Sequence, residues 1–162
     1  MNIVITGGLG FIGINLTKRL LEDGHKIIVI DDSSDDSTSD IISKYAKSNS
    51  KIIHVKAHVK PDGWMGKNWA CMEGFKKATG ELLLFTDADC KPVSKYWIKE
   101  MSSAFTNTKT LVLGYGAYKK KKNSFLNKLI RFETVLTAIQ YFSFTKIGMP
   151  YMAVGRNLAY RK

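Results

Sequence analysis

The chain has 162 residues, of which 44% are hydrophobic and 24% charged, so we expect a globular domain and not a disordered chain. Its two cysteines, Cys71 and Cys90, lack metal-ligand spacing, which argues against a zinc site and favours free thiols. No run reaches the roughly eighteen apolar residues of a transmembrane helix, and no signal peptide is recognisable. We therefore predict neither.

Charge is divided unevenly along the chain, whose net charge is +11. Residues 1–90 hold 11 basic and 12 acidic side chains, whereas residues 91–162 hold 14 basic and two acidic ones. The excess of basic residues in 91–162 therefore indicates either an anionic partner for this part of the chain or a solvated basic face. Lipid and a phosphorylated substrate are candidate partners. We expect no nucleic acid, because no nucleic-acid-binding motif is present.

Short β-branched runs alternate with segments of helical spacing along the whole chain. Glycine and proline stand between many of them, where they end helices or form turns. The predicted order is strand 1–6, helix 11–23, strand 26–30, helix 40–46, strand 51–55, helix 69–78, strand 81–86, helix 94–105, strand 110–114, helix 125–146 and strand 157–161.

This alternation predicts an α/β fold with a mainly parallel, Rossmann-like sheet and helices on both faces. We interpret residues 1–162 as one domain, with a βαβ start over residues 1–32 and the remainder over residues 33–162. Ligands of such sheets bind beyond the carboxyl ends of the strands. Three candidate sites follow strands in this way, namely a glycine-rich turn, Asp31–Asp32 and Asp87–Asp89.

The glycine-rich turn, Gly8-Leu-Gly10-Phe-Ile-Gly13, matches G-x-G-x-x-G between a predicted strand and helix. Glycines let the backbone approach a phosphate, and the helix N-terminus offers it free N–H groups. Asp31, eighteen residues after Gly13, can accept hydrogen bonds from a ribose. The alternative is a tight turn that binds nothing.

The longer segment Thr6-Gly-Gly-Leu-Gly-Phe-Ile-Gly13 resembles the opening of extended short-chain dehydrogenases and epimerases, over residues 1–32. That family also needs a Tyr-x-x-x-Lys pair on a long helix. Tyr115–Lys119 has this spacing but follows a predicted strand, so an NAD(P)-binding epimerase or dehydrogenase is the alternative hypothesis. The resemblance implies NAD(P) contacts by Gly7, Gly10, Gly13 and Asp31.

Asp87-Ala-Asp89 follows the apolar strand Leu-Leu-Leu-Phe. Carboxylates at positions i and i+2 after a strand can converge on one hard cation, and Mg²⁺ and Mn²⁺ favour such oxygen ligands. The cation would neutralise a nucleoside diphosphate leaving group. A capping turn before the next helix is the alternative.

Four segments occur in an order that resembles the family-2 glycosyltransferases of the GT-A fold, over residues 27–162. They are Asp31-Asp-Ser-Ser-Asp-Asp-Ser-Thr38, Gly66-Lys-Asn-Trp-Ala70, Leu83-Leu-Phe-Thr-Asp-Ala-Asp89 and Gly155-Arg-Asn-Leu-Ala-Tyr160. The resemblance implies transfer of a sugar from a nucleoside-diphosphate sugar to an unknown acceptor. By resemblance, Asp87 and Asp89 form the metal and diphosphate motif with Asp89 as the direct ligand, Asp31 or Asp32 contacts the nucleoside, and Lys67 and Asn68 line the donor pocket.

Two features depart from that family. The glycine-rich turn replaces the Pro-x-x-Asn-like loop that shapes the nucleoside site. Inverting members also place a carboxylate general base after the last matched segment, and Glu133 is the only acid after Glu100. The catalytic base is therefore unassigned, and the chain is expected to be incomplete at the C-terminus. A non-catalytic fragment or chimera is a further alternative.

Helix 125–146 combines a wide apolar face with basic residues at its start, Lys119–Lys122, Lys128 and Arg131. Such a helix can lie on an anionic membrane, although core packing with a basic rim explains the same pattern. We accordingly predict a cytoplasmic protein that can act at the inner face of the membrane.

Overall fold

The computed structural model describes residues 1–6, 11–87 and 89–162, with the side chains of Phe11 and Ile12 left undescribed. The chain divides into two compact units, Met1–Gly80 and Glu81–Lys162. Among the residues described, no helix has the length and apolar character needed to cross a membrane.

The first unit is built on a parallel sheet. Its strands lie in the order β1-β2-β3, with Ile3 opposite Ile27 and Ile27 opposite Ile52. Helices connect the strands, as parallel pairing requires. The elements are β1 (Asn2–Thr6), α1 (Phe11–Glu22), β2 (Lys26–Asp31), α2 (Thr38–Ser48), β3 (Ile52–Lys56) and α3 (Gly66–Lys77).

Both faces of this sheet are covered, because β2 buries side chains alternately on either side. Ile27 and Val29 pack with Ile42 of α2 and with the partly buried Leu20 and Leu21 of α1. On the opposite face, a second cluster packs α3 against the sheet. It consists of Ile28, Ile30, Val55 and Ala70, with Val4 and Ala57 against them.

The second unit has a three-stranded sheet in the order β4-β6-β5. Strand β6 lies in the middle and runs antiparallel to both neighbours, with Leu158 opposite Phe85 and Leu113. Its Leu158 and Ala159 are buried. The elements are β4 (Leu82–Phe85), α4 (Trp97–Ser103), β5 (Leu111–Leu113), α5 (Phe125–Lys146), a 3₁₀ turn (Gly155–Asn157) and β6 (Leu158–Arg161).

The predicted α/β class is confirmed, and the helix and strand order follows the prediction closely. The first unit has the expected parallel sheet with helices on both faces. The reversed direction of β6 is an addition to that expectation. Hydrophobic alternation identifies a strand, but the direction of its pairing depends on distant parts of the chain.

Candidate functional site

Asp31, the last residue of β2, is buried in the first unit and only 5% exposed. The backbone N–H of Ser34 donates to its Oδ1 at 3.1 Å, and Nε2 of His54 lies 3.5 Å from its Oδ2. Burial alone would raise the pKa of Asp31, but hydrogen bonds, chiefly from Ser34, lower it below the usual value. The carboxylate therefore stays charged and is engaged within the protein.

Asp32, in contrast to Asp31, is exposed and lies near helix α3. The next residue, Ser33, has a left-handed backbone (φ 59°), a conformation that non-glycine residues seldom adopt. A Cβ added at Gly66 would lie 3.4 Å from Oδ2 of Asp32. The structure thus places Asp32 beside the first turn of α3, which also carries the exposed Lys67 and Asn68. This end of the helix combines a cation, an amide and a carboxylate.

Glu73 of α3, which is 1% exposed, holds the loop that precedes this helix through a contact with His58. Its Oε1 accepts a hydrogen bond from Lys76 Nζ at 2.6 Å, and its Oε2 accepts one from His58 Nδ1 at 2.7 Å. Hydrogen bonding to Lys76 first, and then to His58, lowers the pKa of Glu73 from 4.5 to about 2. Trp69 Nε1 also donates to the carbonyl of His58 at 2.8 Å.

In the second unit, Asp87, Asp89 and Cys90 follow β4 as one group. Each offers a potential ligand atom, and these atoms all lie within 4.8 Å of one another. A turn brings them together, in which Cys90 N donates to the carbonyl of Asp87 at 3.1 Å. Asp89 is exposed, whereas Asp87 and Cys90 are half-buried. Two carboxylates and a sulfur suit a divalent cation with some tolerance for soft ligands.

The Gly155–Asn157 turn supports the chain after β5. Asn157 accepts from Trp97 Nε1 at 3.0 Å and donates to the carbonyl of Tyr115 at 3.3 Å. Arg156 donates from Nε to the carbonyl of Gly116 at 3.1 Å. Its guanidinium lies 5.0 Å from the ring centre of Tyr118. These contacts hold the side chains of the turn in defined positions.

Each unit also has a cavity. One of about 510 Å³ lies between α1 and α2 in the first unit. One of about 280 Å³ in the second unit is lined by Tyr118, Glu133, Tyr141 and Arg156, among others. Burial raises the pKa of Tyr141 above its usual value of 10.0, and its hydroxyl donates to the carbonyl of Gly114 at 3.2 Å. Neither of these two cavities is lined by a predicted site residue.

The predicted phosphate-binding glycines are described only in part. Gly7 and Gly10 lie outside the described residues, and Gly13 is buried within α1.

Three residues of the candidate site were not predicted from the sequence, namely Cys90, Glu73 and His54 as a neighbour of Asp31. Cys90 adjoins Asp89 in the sequence, which is a signal that could have been used.

The sequence model described as Glycosyl transferase family 2 matches residues 15–161. The chain belongs to glycosyltransferase family 2. The family-2 resemblance predicted from the four segments is therefore confirmed. The match takes in the whole of the Asp87–Cys90 group and the first turn of α3.

A solved structure and a curated protein are also similar to this family-2 chain. The structure is the mannosyltransferase PcManGT from Pyrobaculum calidifontis in complex with GDP-Man and Mn²⁺, with a TM-score of 0.51 and 15% identity. It covers 99% of this chain, and this chain covers 44% of it. The likeness extends to the fold, which is GT-A-like.

The curated protein is a UDP-glucose 4-epimerase from Mycolicibacterium smegmatis (strain ATCC 700084 / mc(2)155). It is 39% identical over 59 residues, which are 36% of this chain and 18% of the epimerase. The predicted similarity to epimerases is thereby confirmed for a segment. The chain spans less than half the length of either protein.

Proposed function

We propose that this chain is the donor-binding part of an inverting glycosyltransferase that moves a sugar from a nucleoside-diphosphate sugar to an acceptor with the help of a divalent metal. One observation carries the proposal. In a family-2 chain, Asp87, Asp89 and Cys90 follow β4 with potential ligand atoms within 4.8 Å. Such a group can hold a hard cation against phosphate oxygens.

The donor set fits Mn²⁺ or Mg²⁺, because both cations bind carboxylate oxygens. Asp89 is the proposed direct ligand, since it is the more exposed of the two carboxylates, and Asp87 assists it. When bound, the cation supplies Lewis-acid stabilisation of the diphosphate leaving group. The mannosyltransferase with a similar fold was solved with GDP-Man and Mn²⁺, which supports testing Mn²⁺ and GDP first.

Asp32 is the proposed nucleoside contact of the first unit. Asp31 is 5% exposed and already accepts a hydrogen bond from Ser34, whereas Asp32 is exposed beside the first turn of α3. Lys67 and Asn68 in that turn supply a cation and an amide, which suit phosphate and hydroxyl groups respectively. We propose that all three residues contact the donor. The proposed place of action is the cytoplasm, including the inner face of the membrane.

The test is calorimetric titration of the full chain with UDP and GDP, each with and without Mn²⁺. We expect binding that requires Mn²⁺ and is lost in Asp89→Asn. Asp62→Asn is the matched control, because Asp62 is also exposed but lies in a turn of the first unit. Binding that is unchanged by Asp89→Asn, or by removal of Mn²⁺, would overturn the metal assignment.

A second candidate function is NAD(P) binding by the first unit, favoured by the 39% identity to a segment of UDP-glucose 4-epimerase. Gly7, Gly10, Gly13 and Asp31 would make the contacts, as the motif implies. Titration with NAD⁺ beside UDP separates the two candidates. NAD⁺ binding without UDP binding would establish the second candidate function. If none of the nucleotides binds, the result would favour a non-catalytic fragment.

A further inference from the structure

Helix α5 buries only a narrow side. Asn127, Ala138 and Tyr141 are its buried residues, and they recur at helical spacing. Nine large apolar side chains of the same helix remain substantially exposed. They are Phe125 at 73%, Leu126 at 66%, Leu129 at 48%, Phe132 at 63%, Val135 at 42%, Leu136 at 45%, Ile139 at 57%, Phe142 at 38% and Phe144 at 41%.

Five of these side chains form a continuous stripe, which we call the outer face of α5. Phe125, Leu129, Phe132, Leu136 and Ile139 are spaced by four and three residues in turn, so they follow one side of the helix. That side is opposite to the buried residues, since positions 127, 134, 138 and 141 point the other way. Contiguous exposed apolar side chains of this kind mark interaction surfaces.

Basic residues border the outer face. The neighbouring loop carries Lys119–Lys122, all of them exposed, and the helix itself carries Lys128, Arg131 and Lys146. Against these seven basic residues the helix has one acidic residue, Glu133. A strongly basic border beside an apolar face matches the headgroups and acyl chains of an anionic bilayer.

The lysine loop is fixed to the helix by Asn127. Its Oδ1 accepts a hydrogen bond from the N–H of Lys121 at 2.8 Å, and its Nδ2 donates to the carbonyl of Lys119 at 3.1 Å. Ser124 caps the helix just before it, by accepting from Asn127 N at 3.2 Å. The lysines are therefore held beside the first turn, where Phe125 begins the outer face.

We propose that the outer face of α5 docks in the plane of an anionic lipid bilayer, with Lys119–Lys122 at the headgroups and Phe125, Phe132 and Leu136 among the upper acyl chains. Charge favours lipid over a second copy of the chain. A second copy would bring a second set of these seven basic residues to the same interface, and Glu133 is the one acidic residue of α5 that could offset them. The docking surface uses none of the proposed donor-site residues.

Flotation of the full chain with vesicles tests the proposal. We expect binding to vesicles of equal parts phosphatidylcholine and phosphatidylglycerol, little binding to pure phosphatidylcholine, and weakening by salt. The double variant Phe132→Ser, Leu136→Ser should weaken binding by more than about tenfold. Lys120→Gln with Lys122→Gln should weaken it by about twenty-five-fold, since each lysine near the surface contributes about fivefold.

Matched controls use residues that belong to neither α5 nor the lysine loop. Val93→Ser removes an apolar side chain with full exposure, and Lys44→Gln with Lys47→Gln removes two exposed charges of α2. Both should bind vesicles like the wild type. Far-ultraviolet circular dichroism checks that each variant is folded. Because none of the proposed donor-site residues lies on α5, UDP titration should not change in any of them.

Three outcomes would overturn the proposal. The first is equal binding of the wild type to anionic and neutral vesicles. The second is unchanged vesicle binding by the folded variant Phe132→Ser, Leu136→Ser. The third is a dimer in light scattering that Phe132→Ser, Leu136→Ser converts to a monomer while wild-type vesicle binding is absent. That result would assign the outer face to a second copy of the chain.

Discussion

The indole of Trp97 donates a hydrogen bond to Oδ1 of Asn157 at 3.0 Å, across 60 residues of the chain. The backbone of Asn157 also accepts from the N–H of Gly114 at 2.8 Å. Through its side chain and its backbone, Asn157 therefore connects α4, the chain after β5 and the start of β6. The position of its side-chain amide depends on Gly114, because a Cβ there would overlap the side chain of Asn157.

Gly114→Ala should therefore destabilise the protein. We expect the free energy of unfolding to fall by about 1–3 kcal/mol, the usual cost of overpacking a filled site. Urea unfolding followed by tryptophan fluorescence measures it. Gly155→Ala is the matched control, since a Cβ at Gly155 meets nothing within 4 Å, and it should change stability by less than about 0.5 kcal/mol. Equal effects of the two substitutions would show that the crowding at Gly114 is unimportant.

Neighbouring aspartates should have separable roles. Asp31→Asn should lower the free energy of unfolding by about 1–3 kcal/mol, because a buried carboxylate hydrogen-bonded to Ser34 is replaced. Asp32→Asn should leave stability unchanged and weaken UDP binding, because its side chain is exposed beside α3. Urea unfolding and calorimetric titration of both variants check this. The reverse pattern would assign the nucleoside contact to Asp31.

Acid should weaken the attachment of the loop at Glu73. The pKa of Glu73 is lowered from 4.5 to about 2, so the ion pair of its carboxylate with Lys76 and its hydrogen bond with His58 stabilise the fold above pH 4.5, and this stabilisation is lost as the pH falls toward 2. Glu73→Gln should therefore be less stable than wild type at neutral pH, and the difference should shrink between pH 4.5 and 2. Urea unfolding at a series of pH values measures the difference.

Glu22→Gln is the control for that series. Its carboxylate is 70% exposed and lies 3.9 Å from Arg19, so its loss should alter stability little at any pH. A pH-independent gap between wild type and Glu73→Gln would mean that Glu73 contributes by packing and not by charge.

Cys90 should influence metal preference. Its sulfur belongs to the group with Asp87 and Asp89, and thiolates favour soft cations whereas carboxylates favour hard ones. Cys90→Ser should lower Cd²⁺ affinity by about tenfold or more and change Mn²⁺ affinity by less than about threefold. Calorimetric titration with each metal checks it, with Cys71→Ser as the control. Unchanged Cd²⁺ affinity in Cys90→Ser would exclude the sulfur from the metal site.

The order of helices and strands could be predicted because it depends on short-range patterns. For α5, the helical spacing of apolar residues and the glycine that follows the helix predicted residues 125–146, and the helix in the structure has the same bounds, Phe125–Lys146. The grouping of Asp87 with Asp89 follows equally from their spacing after an apolar strand. In both cases the information lies within a few residues of the feature.

Side-chain partners from distant parts of the chain could not be predicted in this way. Asp31 and Asp32 look alike in the sequence, and their different burial depends on His54 of β3 and on the left-handed Ser33. In the sequence, Glu73 is an ordinary helical glutamate. Its burial and its contact with His58 become visible only in the folded structure. Such contacts are set by packing that the local pattern does not contain.

The central position of β6 has a consequence for folding. Strands β4 and β5 pair with β6 and not with each other, although both precede it by many residues. On the ribosome, the first unit can complete its parallel sheet once β3 and α3 have emerged. The second sheet must wait for Leu158–Arg161, and until then two strand edges stay open to other chains. We expect slow folding and a need for chaperones to arise in the second unit and not in the first.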